Sequence, residues 1–226
     1  MQERFNAKYA VFSAIAIMTV YVLFHNERFL VEPENPVWQR YEPIKWWLLP
    51  HGIAGALVLL IAPLQFSDRL RRRFPRPHRL GGRLYVAGVI VLAPLGAYIQ
   101  YFQERFGAPR SFTVLGVVDA ALLLATTLIG FVFAYKRKIA QHRQWAIRSY
   151  AVALIFIEAR FILGVTGLGQ SGVEMAQAVI WSCLALSILL ADLANHWLEI
   201  RAALQTPVRL PAPVKQEALN GAVEPV

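Results

Sequence analysis

The sequence predicts an all-α fold, a polytopic membrane bundle of six transmembrane helices. Three observations carry this. Hydrophobic residues make up 57% of the 226 residues, with a mean hydropathy of +0.44. Charged residues make up 16%, against about a quarter in an ordinary soluble domain. The charges are bunched between long apolar runs, the pattern of a chain that crosses a bilayer repeatedly. Nearly all of the chain is consumed by those crossings, which leaves no room for a separate soluble catalytic domain.

Six apolar runs define the elements. A spanning helix needs roughly 17–25 largely apolar residues. The runs are Tyr9 to Phe24, Trp46 to Phe66, Leu84 to Phe102, Phe112 to Tyr135, Trp145 to Val165 and Val173 to Trp197. The first is short. It superficially resembles a signal peptide, but His25-Asn26-Glu27-Arg28 follows it where a small-residue cleavage site would stand, so it reads as a retained first helix. The loops are short except for Glu27 to Lys45. Residues 1–201 are expected to form the membrane domain. The segment 202–226, rich in Pro and small residues, is expected to be a disordered cytoplasmic tail.

Orientation follows from the basic residues. With the N-terminus inside, the inner segments carry 16 Lys and Arg and the outer loops five, while Arg148 and Arg160 lie within a helix. The positive-inside rule then places both ends in the cytoplasm, in the cell (inner) membrane. The formal net charge of +9 sits in these loops, where it meets anionic lipid headgroups, and it does not indicate nucleic-acid binding. The single cysteine, Cys183, excludes an internal disulfide and a cysteine-based metal cluster.

Two inner loops echo each other. His78-Arg79 is followed by Arg83-Leu84-Tyr85, and His142-Arg143 by Arg148-Ser149-Tyr150, with one extra residue in the second copy. The offset suggests that helices two–three and four–five are related hairpins. At these residues, together with Leu64-Gln65-Phe66, Gly82, Trp145 and Arg160, the chain resembles the domain of unknown function 2306 family of predicted multi-pass membrane proteins, over roughly Trp46 to Val165. Ala146 stands where a larger apolar residue is usual. The resemblance implies a membrane-embedded fold and location, and carries no activity with it.

Ionisable residues inside a bilayer are costly and mark candidate sites. The inner group holds His78, Arg79, Arg83, His142, Arg143 and Arg148. Paired imidazoles on separate helices suit the iron of a b-type haem, and nearby arginines suit its propionates. Gly81, Gly82, Ala146, Ser149 and Ala153 would leave room for a flat macrocycle. The alternative is that the His-Arg pairs hold lipid phosphate and the small residues let helices approach. Asp192 and His196, with Glu199 three further on, share a helix face and form a weaker candidate for a cation.

The outer group holds His51, Asp119, Glu158 and Arg160, each about 7–11 Å below its helix end. It is read either as an ion-paired clasp, for example Asp119 with Arg160, or as a catalytic, proton-linked or quinol-type pocket in which His51 titrates. The function classes left open are therefore a haem- or quinone-linked redox protein, a small proton-coupled transporter, and a non-catalytic membrane subunit. Phosphate loops, nucleophile elbows and His-Glu-x-x-His zinc helices are absent from the sequence.

Overall fold

In a computed structural model that describes residues 2–32 and 34–205, every regular element is helical. The elements are α1 (Gln2–His25), α2 (Val37–Tyr41), α3 (Lys45–Gln65), α4 (Asp68–Arg73), α5 (Pro75–Glu104), α6 (Arg110–Tyr135), α7 (Ile139–Thr166) and α8 (Val173–Gln205), with short 3-10 turns between some of them. Five segments are long and apolar enough to cross a membrane: Glu42–Gln65, Pro75–Glu104, Arg110–Tyr135, Ile139–Thr166 and Val173–Trp197. The apolar part of α1, Tyr9–His25, is shorter. Against the six equivalent spans expected, the described chain is thus a polytopic bundle of five long apolar helices plus a shorter one.

The helix ends follow local chemistry. Ser67 caps α4 by accepting the Leu70 amide at 3.2 Å, and Asp68 begins that helix while Arg71, Arg72 and Arg73 end it, each charge complementing the dipole. Pro75 opens α5 at a position where its missing N–H costs nothing. Gly167 closes α7 in the left-handed conformation, at φ 72°, where a Cβ would be strained.

The chain divides into two compact units, Met1–Asn195 and His196–Val226. In the first, α3 packs on α5, α5 on α6 and α6 on α7, and α7 returns to α3, so the four close on themselves. Their core holds Val58, Val89, Leu123, Val152 and Ile155, and α8 adds Ile180, Cys183 and Leu184. The helix α1 lies against α7. Large apolar side chains such as Ile53, Leu60, Phe131 and Leu190 point outward, as a lipid-facing surface requires. In the second unit the described residues continue α8 to Gln205, four residues into the segment expected to be a disordered tail, and 206–226 lie outside the described residues.

Glycine sets one close approach. A Cβ on Gly88 would stand 2.9 Å from Val58 Cγ2 and 3.5 Å from the Ala54 carbonyl, so α5 and α3 meet there only because Gly88 has none.

Candidate functional site

The helices α5 and α7 run in the same direction, and the echoed residues fall at matching heights. His78 and His142, 64 positions apart, are near enough to act on each other electrostatically, and Arg71 acts on His78 as well. At the same separation, the Tyr85 hydroxyl bonds the Ser149 hydroxyl at 2.8 Å. Ser149 is 1% exposed and bonds Thr127 of α6 at 2.6 Å. A chain of three hydroxyls therefore ties α5, α7 and α6 together.

The fourth helix closes the group. The Gln65 amide, at the end of α3, lies over Gly81, and a Cβ on Gly82 would stand 3.7 Å from its Oε1. His142 donates Nδ1–H to the Gly130 carbonyl at 2.9 Å, which fixes the ring and leaves Nε2 as the available lone pair. His78 Nδ1 is buried and has no hydrogen-bond partner among the described residues. The four helices of the ring thus send Gln65, His78, Tyr85, Thr127, His142 and Ser149 to one end, called the histidine end below.

The small residues expected beside the imidazoles do not line a vacant slot. Gly81 and Gly82 are covered by Gln65, Ser149 is enclosed by Tyr85 and Thr127, and the Ala146 backbone packs on Gly130. The donor set still fits a b-type haem. Two imidazoles come from separate helices, one with its tautomer fixed and the other with an unpartnered ring nitrogen among the described residues, while the Gln65 amide and the Ile61 side chain cover Gly81.

The remaining predicted residues of this group separate. Arg79, Arg83 and Arg143 are exposed, and Arg79 bonds the Pro75 carbonyl at 3.3 Å. Arg148 turns to Asp192 on α8 at 2.6 Å and lies 4.9 Å over the Trp145 ring. Asp192 is thereby an ion-pair partner, and His196 belongs to the second unit. Among the described residues no three or more His, Cys, Asp or Glu side chains gather as a metal site.

The outer group has four destinations. His51 donates Nδ1–H to the Leu92 carbonyl at 3.0 Å and rests against Gly96. Glu158 accepts a hydrogen bond from Ser187 at 2.7 Å. Arg160 is exposed and pairs with Glu27, so the expected Asp119–Arg160 pair is not formed. Asp119 is buried at 8% exposure, and its Oδ1 has no hydrogen-bond partner among the described residues.

Several participants were not singled out from the sequence. Ser149 as the partner of Tyr85 was recoverable from the echo, because it stands 64 positions on, as His142 does from His78. The extra residue in the second copy turns Tyr150 about 100° around its helix. Tyr150 packs at a tilt on Phe66, with ring centroids 5.7 Å apart, and Phe66 packs on Phe12 of α1. Thr127, Gly130, Glu27 and Ser187 carry no sequence signal of their roles. They matter through what lies opposite them.

Of the residues that carried the family resemblance, Gln65, His78, Gly82, Tyr85, His142 and Ser149 lie at the histidine end, whereas Arg160 lies in the opposite half, paired with Glu27. No curated protein and no solved structure matches the chain. The profile of a family described as "Predicted membrane protein (DUF2306)" matches residues 48–195, and the chain belongs to that family.

Proposed function

We propose that this multi-pass membrane protein is a redox protein that holds a b-type haem at the histidine end and exchanges electrons with a lipid-soluble quinone. The observation that supports this reading is the histidine pair: His78 and His142 approach from parallel helices, and the Gly130 carbonyl orients His142 with Nε2 free. When bound, haem supplies a one-electron couple. The chain's own groups have separate tasks. Gly130 fixes one imidazole, Gln65 covers Gly81 and Gly82, and the exposed Arg79, Arg83 and Arg143 are available to propionates. The same reading takes α1 as a sixth span and both termini as cytoplasmic, with the protein in the inner membrane, on the basic-residue bias.

The test is the absorption spectrum of protein purified from haem-replete cells. Reduced protein should show a b-type spectrum, and His78→Ala or His142→Ala should abolish it. Colourless protein overturns the haem reading. A second reading is favoured by Arg71 beside His78 and the exposed arginines around the pair: the same end binds the phosphate of an anionic lipid headgroup. Anionic lipid retained through purification by colourless protein, and lost with His78→Ala, is the result that selects it.

A further inference from the structure

Two carboxyl groups lie inside the spans without a cationic partner among the described residues. Asp119 sits on α6 among the buried residues Leu115, Gly116, Ala120 and Leu123, at 8% exposure, with Oδ1 unpartnered among the described residues. Glu158 sits on α7 and takes its hydrogen bond from the Ser187 hydroxyl of α8. Of the three arginines of α7, Arg143 is exposed, and Arg148 and Arg160 are engaged elsewhere, with Asp192 and with Glu27.

The other titratable groups in this half do not compensate either acid. From α3 comes His51, bonded to the Leu92 carbonyl and close enough to feel Arg160. From α8 comes Cys183, buried beside Glu158. From α1 comes Tyr21, stacked on His25 at 4.1 Å. Between Tyr85 and Tyr98, α5 has no titratable side chain.

An isolated carboxylate in hydrocarbon is among the costliest groups a membrane helix can carry, and protonation removes the charge. We infer that Asp119 and Glu158 are two separate proton-carrying groups within the membrane, each of which takes up one proton to become a carboxylic acid and can return it. The proton comes from hydronium and returns to water. No other reactant is needed, and the inference is independent of the haem reading. The orphaned Oδ1 of Asp119 is the open hydrogen-bonding position. Ser187 holds Glu158 from α8, so gain or loss of that proton acts on the α7–α8 contact.

Infrared spectroscopy of the full-length protein in detergent at neutral pH tests this. Carbonyl bands of protonated carboxylic acids should be present and should shift in D₂O. Asp119→Asn should remove one and Glu158→Gln the other. Should either variant fail to fold, the unmodified protein treated with dicyclohexylcarbodiimide, which attacks protonated acids in apolar surroundings, answers the same question. Mass spectrometry should place adducts on Asp119 or Glu158. Absence of acid bands, bands that do not exchange in D₂O, or adducts confined to Glu27, Glu32 and Asp68 overturns the proposal.

Discussion

The histidine end and the opposite half of the bundle contain similar inventories of polar residues and use them differently. At the histidine end, side chains from α3, α5, α6 and α7 converge, and the hydroxyls of Tyr85, Ser149 and Thr127 satisfy one another away from water. In the opposite half, His51, Asp119, Glu158 and Arg160, expected at one depth, do not share a partner. Depth along a helix is only one coordinate. Convergence also needs the right face, and α5 and α7 share faces because they are parallel and in register at an offset of 64 residues. No such repeat relates α3, α6 and α7 at the level of the outer group.

The comparison is tested most severely at Ser149. Ser149→Leu would push a larger side chain between three helices and leave the Tyr85 and Thr127 hydroxyls unpartnered. It should cost about 2–5 kcal/mol, seen as a large fall in the thermal unfolding midpoint in detergent. A midpoint unchanged from the parent would mean the hydroxyl chain is not the tie described.

A smaller effect is expected at Arg148. Its side chain is 19% exposed and that of Asp192 46%, so solvent screens part of the pair. Arg148→Ala also loses the Trp145 contact, and should cost about 1–2 kcal/mol. Asp192→Asn, which keeps the shape and removes the charge, should recover part of that loss in the double variant.

Arg160 should matter less still. A buried Arg160 paired with Asp119 would cost about 3–5 kcal/mol on removal. The observed pair with Glu27 is at the surface, with Arg160 46% exposed, and Arg160→Ala should cost about 0–1 kcal/mol. Unfolding of the Arg160→Ala protein alongside the parent decides between them.

The smallest effect is local and pH-linked. The Asn35 amide, then the Arg28 guanidinium, hold the Glu32 carboxyl below its usual range. A depressed carboxylate contributes above the usual carboxylate range and loses that contribution as the pH falls through the depressed value. Acid should lower the hydrogen-exchange protection factor of the Glu32 amide, which donates to Phe29 at 3.2 Å, measured against the intrinsic rate at each pH and without unfolding the bundle. A protection factor at Glu32 that does not change with acid would remove the link.

The membrane class, the long helices and the histidine echo were legible from the chain alone, because apolar length and basic punctuation are local properties that any helix in a bilayer must show. The apolar part of α1, Tyr9–His25, is shorter than the other five apolar helices for the same local reason. The side-chain partners were decided by tertiary structure. Gly81 and Gly82 could equally have bordered a macrocycle or admitted Gln65, and Arg160 could have met Asp119 or Glu27. Sequence spacing fixes which face of a helix a residue occupies, but the neighbour presented to that face depends on how the helices rotate and close. That closure is set by the packing of side chains such as Val58 against Gly88 across the whole bundle.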